Sequence, residues 1–408
     1  MSNENDIFKI AIMSDMHVGS TNEDQDKTWL TTSTPDNHTN PITTLENLIK
    51  GENISADILL NCGDMSIKAE FSSQQHAWTK TNQLGKKLNA KVIGTVGNHD
   101  VDSMCINSDY DVKGGLQSLN PPFPGIDDSY GDKYWSRNYV IKVIKNVRIL
   151  NINSCAYHGV CSDKNDKKEF MHGRVSMHTI DSIKKELEKD ESKYDLNICF
   201  FHHHIDKLIT CKHDGDYSAM IKGDELIEAI SSSSKTNWLM IHGHKHCPNI
   251  QEKKTTDGMQ HIIFSAGSFS SIRPKIDTNI QQFYIIEAVK NSLEKNSLSV
   301  AGKIKAWTFG YGKGWIESTQ DAKICYGMGY GFTEDISVLS KNIDEVYKSY
   351  NEEYCEWGEI MEKVPNLEYM SSNNLHSLMS TLEKEYNYTF YVDRHNGAIN
   401  QMAQKGES

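Results

Sequence analysis

The feature that most constrains the fold of this chain is a series of short apolar runs, each closed by polar residues or glycine. Continuous apolar runs rich in β-branched residues are typical of strands that are covered on both faces. The predicted strands are Lys9–Ser14, Asp57–Cys62, Lys91–Val96, Val147–Ile152, Asn197–Phe201, Trp238–Ile241, His261–Ser265 and Phe283–Ala288.

Helical patterns separate several of these predicted strands. Strands that alternate with helices indicate an α/β architecture. The stretch Tyr134–Ile152 has less room for a helix and is interpreted as antiparallel strands, so we expect one mixed sheet or two sheets. The predicted helices are Thr43–Lys50, Ser72–Leu88, Ser176–Lys189 and Asp224–Ser231.

Five of the predicted strands lead directly into Asp, Asn or His residues. In open α/β sheets, ligands bind at the edge where the carboxyl ends of strands meet. Carboxylate, amide and imidazole groups without a thiolate suit Mn²⁺, Fe and Zn²⁺, so the pattern predicts a metal site at this edge. The five motifs are Asp15-Met16-His17, Gly63-Asp64, Gly97-Asn98-His99-Asp100, His202-His203-His204 and His242-Gly243-His244-Lys245-His246.

These motifs resemble the calcineurin-like metallophosphoesterase superfamily, whose five motifs occur here in the family's order over roughly Ile7 to Val289. The resemblance implies a two-sheet β-sandwich flanked by helices, in α/β/β/α order. It also implies a hydrolase in which two divalent ions hold a bridging hydroxide that attacks a phosphodiester or phosphomonoester. Mn²⁺ is the expected metal, with Fe or Zn²⁺ as alternatives.

The resemblance further implies a role for individual residues. Asp15, His17 and His246 would hold one ion, Asn98, His203 and His244 the other, and Asp64 would bridge them. His99 would stabilise the transferring phosphoryl group or protonate the leaving oxygen, oriented by Asp100. In the fourth motif His203 is favoured, since Ile205 then takes the place of the family's proline, and His202 is the alternative ligand.

The order and composition of the five motifs are most similar to those of cyclic-nucleotide and small-phosphodiester phosphodiesterases. Two other functions stay open: a DNA nuclease of the double-strand-break-repair type, whose first motif reads like Asp15–Gly19, and a non-enzymatic metal-binding scaffold that docks a protein partner. A phosphoprotein phosphatase of the Ser/Thr type is disfavoured because Gly97–Asp100 reads GNHD where those enzymes have GNHE.

The composition of the chain limits the kinds of molecule that it is expected to bind. The net charge of −12 over 408 residues argues against a dedicated nucleic-acid binder, which usually carries a basic face. No apolar stretch approaches the roughly 20 residues of a membrane span, so no membrane partner is expected. The nine cysteines follow no CxxC pattern, which predicts reduced thiols and a cytoplasmic location.

We predict three regions. Residues 1–290 form the catalytic domain, residues 291–333 form an extension rich in glycine and aromatic residues with a hairpin over Ser299–Ser318, and residues 334–408 form an acidic, mostly helical segment. This last segment carries 14 Asp/Glu against 6 Lys/Arg, and helices are expected over Val338–Met361 and Leu375–Leu382. It could cap the core, cover the site or mediate self-association.

Nine of the 17 histidines lie outside the five motifs. His158, His172 and His178 fall in a polar loop and at a helix start, where we expect surface or packing roles.

Overall fold

The structure, a computed structural model, describes residues 6–21, 24–108, 110–159, 169–206, 218–272, 280–295, 298–350, 352–393 and 397–405. Its strands are β1 (Ile7–Met13), β2 (Ile58–Asn61), β3 (Lys91–Gly94), β4 (Tyr139–Ile144), β5 (Val147–Ile152), β6 (Leu196–Phe200), β7 (Leu239–His242), β8 (Asn249–Lys254), β9 (Gln260–Ser265), β10 (Gln282–Val289), β11 (Leu298–Gly310), β12 (Gly314–Glu317), β13 (Met328–Phe332), β14 (Tyr354–Glu356), β15 (Tyr388–Val392) and β16 (Ile399–Gln404). Its α-helices are α1 (Pro41–Gly51), α2 (Phe71–Lys87), α3 (Gly114–Gln117), α4 (Asp128–Arg137), α5 (Met177–Lys189), α6 (Gly223–Ser234), α7 (Ile336–Tyr350), α8 (Trp357–Lys363) and α9 (Ser372–Glu385).

Two large sheets form the body of the molecule. The first runs in the order β12-β11-β10-β1-β2-β3, with β13 paired to β11, and the second runs β4-β5-β6-β7-β9-β8. Strands β1, β2 and β3 are parallel, as are β5, β6, β7 and β9. The predicted antiparallel pair is present as β4 and β5, although its first residues belong to α4.

Strand β6 shows how the layers are arranged. Ile198 and Phe200 belong to the apolar core between the two sheets, whereas Cys199 and Phe201 belong to a second core under α5 and α6. Successive side chains on a strand point to opposite faces, so β6 is covered on both sides. Helices α1 and α2 cover the first sheet from outside. The predicted sandwich of two sheets flanked by helices is therefore confirmed.

The register of the parallel strands brings their carboxyl ends to one edge. Met13 of β1 is level with Asn61 of β2, which is level with Gly94 of β3. In the second sheet, Phe200 of β6 is level with Ile241 of β7. All five polar motifs begin within a few residues of these positions.

The predicted hairpin over Ser299–Ser318 corresponds to β11 and β12, which pair from Trp307↔Glu317 to Gly310↔Gly314. Because β11 also pairs with β10 along its length, the hairpin continues the first sheet.

The C-terminal region contains α7, α8, α9 and a small antiparallel sheet in the order β14-β16-β15. The expected single helix over Val338–Met361 is wrong, because α7 ends at Tyr350 and β14 intervenes before α8. In β14 only Cys355 is buried, between exposed Tyr354 and Glu356, which is the alternation of a strand. Residues of α7, α9, β15 and β16 form a separate apolar core that also includes Val289 of β10.

The oxidation state of two cysteines differs from the prediction of reduced thiols. Cys105 and Cys247 are disulfide-bonded, and Cys161 and Cys211 lie outside the described residues. The prediction of reduced thiols throughout is therefore wrong for the first two, and it no longer supports a cytoplasmic location. The described free cysteines are Cys62, Cys155, Cys199, Cys325 and Cys355.

In the part of the chain that the structure describes, none of the helices combines the length and the apolar character needed to span a membrane.

Candidate metal centre

The turns that follow the strands bring the motif residues together across both sheets. The backbone amide of Asp15 donates to the carbonyl of Gly63 at 3.0 Å, and the amide of His17 donates to the carbonyl of Asp64 at 2.9 Å. The amide of His244 donates to the carboxylate of Asp15 at 3.0 Å. The first and second motifs are thus fixed to each other, and the fifth motif is fixed to the first across the sandwich.

One cluster consists of Asp15, His17 and His246, all buried. Nε2 of His246 lies 3.2 Å from Oδ1 of Asp15 and 3.1 Å from Nε2 of His17. Two neutral imidazole nitrogens that face each other this closely need a proton or a cation between them, since their lone pairs repel. A carboxylate and two imidazoles are a donor set that binds Mn²⁺, Fe or Zn²⁺.

A second cluster gathers around Asn98. Its Oδ1 lies 2.9 Å from Nδ1 of His244 and 3.1 Å from Nε2 of His202, and these two nitrogens are 3.3 Å apart. Oδ2 of Asp64 completes the group at 3.3 Å from Nε2 of His202. One amide oxygen and two ring nitrogens therefore lie within 3.3 Å of one another, and a carboxylate oxygen lies beside His202.

Asp64 lies between the two clusters. Its Oδ2 is 3.6 Å from Nε2 of His17 on one side and 3.3 Å from His202 on the other, yet it accepts no hydrogen bond within the described residues. A fully buried carboxylate oxygen without a hydrogen-bond donor is costly unless a cation binds it. The residues present therefore fit a pair of divalent ions bridged by Asp64.

In the fourth motif, Nε2 of His202, the alternative residue, lies next to Asn98, whereas His203, the favoured residue, joins His202 and His244 in a candidate metal-binding group. The reason is the alternation along β6: His202 continues the face of Phe200, which points between the sheets. Nδ1 of His202 donates to the carbonyl of Cys62 at 2.7 Å, which leaves Nε2 with its lone pair toward Asn98. A backbone carbonyl on the far ring nitrogen is the usual way in which proteins orient a metal-binding histidine.

His203 lies behind the second cluster. Its Nδ1 is 2.9 Å from the hydroxyl of Ser154, its Nε2 has no partner among the described residues, and its ring centroid is 4.5 Å from that of His244. His158, expected at the surface or in packing, is buried next to it, with ring centroids 5.5 Å apart.

His99 lies at the open rim of the site, half-exposed, with its ring centroid 4.8 Å from that of His17. Its backbone amide donates to Oδ1 of Asp64 at 2.8 Å, and its Nδ1 donates to the carbonyl of Ile67 at 2.8 Å. Ile67 therefore orients the ring, and the expectation that Asp100 does so is wrong.

The carboxylate of Asp100 faces backbone amides instead. Its oxygens accept from the amides of Met65, Ser66 and Gly97 at 2.8 to 3.1 Å. These bonds tie the turn after β2 to the turn after β3. Asp100 thereby positions the loops that carry Asp64 and Asn98.

Backbone conformation marks the same residues. Non-glycine residues in the left-handed region cost roughly 1–2 kcal/mol each and persist only where the surroundings enforce them. The motif residues with positive φ are Asp15 (53°), His17 (47°), Asp64 (54°), His244 (79°) and His246 (56°). Strained backbone at metal-binding residue types supports the hypothesis of a functional site, and sequence patterns alone do not reveal it.

Two motif glycines keep room for the carboxylates. A Cβ on Gly97 would lie 2.2 Å from Oδ1 of Asp64, and a Cβ on Gly243 would lie 2.5 Å from Oδ2 of Asp15. Any side chain at either position would displace a candidate ligand.

Burial and neighbouring charges shift the pKa values of the candidate ligands in different directions. Burial would raise the pKa of Asp15, but His246, His17 and His202 hold that pKa well below its usual value. Burial lowers the pKa of His17 to about 4. For His202 burial acts in the same direction, yet Asp64 outweighs it and raises the pKa to about 9. The protein thus attracts positive charge at His202, where a second cation would replace the proton.

Comparisons with known proteins identify the family to which the chain belongs. The family model described as calcineurin-like phosphoesterase matches residues 8–248, which is more than half of the chain. A second model, described as wHTH-Calcineurin_assc, matches residues 328–384. No curated protein matches the chain in sequence.

Solved structures with a similar fold include a dimetal phosphatase from Danio rerio, with 12% identity and a TM-score of 0.44, covering 74% of this chain and 99% of that one. Purple acid phosphatase PPD1 from yellow lupin (Lupinus luteus) has 15% identity and a TM-score of 0.44, covering 74% and 51%. A 5'-nucleotidase from Candida albicans has 13% identity and a TM-score of 0.36, covering 74% and 52%. On the strength of the matched family model, the chain belongs to the calcineurin-like phosphoesterase family.

Proposed function

We propose that this protein is a phosphoesterase that uses two divalent metal ions to hydrolyse a small phosphodiester or phosphomonoester. The observation that carries the proposal is Asp64, whose buried Oδ2 lies between His17 and His202 without a hydrogen-bond donor among the described residues. A carboxylate oxygen shared by two nitrogen-rich clusters is what a dinuclear centre requires.

The ligand sets follow from the distances. Asp15, His17 and His246 would hold the first ion, and Asn98, His202 and His244 the second, with Asp64 shared. When bound, the two ions would lower the pKa of a water molecule and stabilise the negative charge of the displacement. Mn²⁺ is our first choice, with Fe or Zn²⁺ as alternatives, because the donors are oxygen and nitrogen.

His99 is our candidate for the group that handles the leaving oxygen. Its Nδ1–H donates to the carbonyl of Ile67, so Nε2 carries the lone pair and, once it has taken up a proton from solvent, is the nitrogen that can pass it to the leaving oxygen. The half-exposed position at the rim allows contact with substrate. A proton delivered to the leaving oxygen makes it a better leaving group in the transition state.

The proposal is tested by hydrolysis of bis(4-nitrophenyl) phosphate and 4-nitrophenyl phosphate by Mn²⁺-loaded protein. The matched pair His202→Ala and His203→Ala separates the two fourth-motif histidines. We expect His202→Ala to lose the second ion of the dinuclear centre and most of the hydrolysis. We expect His203→Ala to keep the second ion and to hydrolyse the substrates at the wild-type rate. Equal hydrolysis by wild type and His202→Ala would contradict the assignment.

Single-stranded DNA and a cyclic dinucleotide belong in the same assay. Faster turnover of DNA than of the small diesters would favour the nuclease, despite the net charge of −12. Absence of hydrolysis with every substrate by fully metal-loaded, folded protein would favour the scaffold.

A further inference from the structure

A third group of candidate ligands adjoins the proposed dinuclear centre on the side of His203. It consists of Cys155 and His158, in the loop after β5, and His203, just beyond β6. One ligand atom from each residue lies within 4.8 Å of the others, and all three side chains are at most 3% exposed. The proposed dinuclear site uses none of these residues.

His158 is oriented in the way that metal-binding histidines are. Nε2 of His158 donates to the carbonyl of His172 at 2.9 Å, so its Nδ1 carries the lone pair. That Nδ1 is buried and has no hydrogen-bond partner among the described residues. Fixing one ring nitrogen on a backbone carbonyl presents the other to a cation. A buried nitrogen left without a partner is rare and calls for an explanation.

His203 and Cys155 face each other across the same small space. Nδ1 of His203 lies 3.8 Å from Sγ of Cys155 and 2.9 Å from the hydroxyl of Ser154. In a tetrahedral zinc site the Zn–S bond is about 2.3 Å and the Zn–N bond about 2.0–2.1 Å, which places sulfur and nitrogen roughly 3.5 Å apart. The observed separation needs only a small inward movement to accept the ion.

The main chain at Gly173 packs tightly against one side of His203. A Cβ on Gly173 would lie 2.6 Å from Cβ and Cγ of His203 and 2.8 Å from its Nδ1. Gly173 therefore lets the backbone close tightly over the ring, which keeps the group out of bulk solvent.

We propose that Cys155, His158 and His203 bind a third metal ion, Zn²⁺, separate from the dinuclear pair. One thiolate and two imidazoles form a nitrogen and sulfur donor set, which zinc prefers, whereas the dinuclear centre offers only oxygen and nitrogen. Binding replaces the thiol proton of Cys155, which passes to solvent, by a sulfur–zinc bond. The hydroxyl of Ser154 or a water molecule would complete the tetrahedron.

Such an ion would link the loop after β5 to the end of β6. His203 packs against His244, with ring centroids 4.5 Å apart, and it directly follows His202. The third ion would thereby brace the second cluster from behind. Its role is structural, and its existence does not depend on whether the dinuclear centre hydrolyses phosphoesters.

Metal content is the direct test. Protein dialysed against Zn²⁺ and then freed of excess metal is analysed by mass spectrometry for zinc per chain. We expect Cys155→Ser to hold one ion fewer than wild type, and Cys199→Ser, which replaces another buried free thiol, to match wild type. Equal zinc content in folded wild type and Cys155→Ser would overturn the proposal.

Cobalt spectroscopy gives a second readout on folded wild-type protein, and so does not rely on the stability of a variant. A thiolate bound to Co²⁺ produces a charge-transfer absorption in the near ultraviolet, whereas oxygen and nitrogen ligands do not. We expect this band in the cobalt-loaded protein, its loss in Cys155→Ser and its retention in Cys199→Ser. Absence of the band from fully loaded wild type, or its persistence in Cys155→Ser, would contradict a site at Cys155.

Discussion

The metal-binding edge and the C-terminal region are built on opposite principles. At the edge, polar side chains are buried on strained backbone, and Asp15, Asp64 and His202 satisfy one another only when positive charge lies between them. In the C-terminal region the buried side chains are apolar, such as Leu339 and Leu378, and pack on a small sheet. Chemistry restricts residue types at the edge, whereas packing accepts many residues elsewhere.

The comparison between the metal-binding edge and the C-terminal region shows which of the two is easier to predict from the sequence. Metal coordination needs Asp, Asn and His at particular strand ends, and few sequences meet that need by accident. An apolar core needs only volume and pattern. Mutations at the edge should therefore affect activity more than folding, and mutations in the C-terminal core should affect folding more than activity.

The largest effect is expected for Asp64→Asn. Because the amide carries no negative charge, the dinuclear centre would lose its shared ligand, and hydrolysis should fall about 10⁴-fold, equivalent to roughly 5.5 kcal/mol. Activity and metal content are measured together, with thermal unfolding as the control for folding. Undiminished hydrolysis in this variant would remove Asp64 from the centre.

His99→Ala should lower the rate by about 10²- to 10³-fold, within the usual contribution of a general acid. The metal content should stay that of wild type, because the ring of His99 is held by Ile67 at the rim and is not needed as a ligand. A loss of metal equal to that of Asp64→Asn would instead make His99 a ligand.

Leu378→Ala tests the apolar core of the C-terminal region. Leu378 of α9 is fully buried in the C-terminal core, so its truncation should lower the free energy of unfolding by about 2–5 kcal/mol. Below the unfolding temperature, kcat should match that of wild type. A parallel loss of kcat and stability would show that the two regions are energetically inseparable.

The smallest effect is expected at the contact between the regions. Lys303 of β11 pairs with Glu368, which lies between α8 and α9, and both side chains are about one-third exposed. Lys303→Ala should therefore cost less than about 1 kcal/mol in unfolding free energy. A larger loss, measured by chemical denaturation at low and high salt, would give this ion pair a greater part in holding the regions together.

Strands with strong apolar character could be predicted from the sequence, and so could the motifs at their ends. Lys91–Val96 and Phe283–Ala288 correspond to β3 and β10 within two residues at each end. Such runs are buried on both faces, and little else in the chain competes with that pattern.

Other features depend on details that a linear pattern does not contain. The choice between His202 and His203 required the face of β6, and the role of Asp100 required the amides of a distant turn. The break between α7 and α8 comes from pairing of β14 with β16, almost 50 residues later in the chain. In each case a tertiary contact outweighs the local preference.

The candidate ligands come from both sheets: Asp15 and His17 follow a strand of the first, and His246 follows a strand of the second. An ion bound among them would hold the two sheets together, because the sheets could separate only after the ion had been released. Resistance to heat and to proteolysis would then rise with free metal concentration by mass action. Loss of metal would then weaken the association of the two sheets as well as slow turnover.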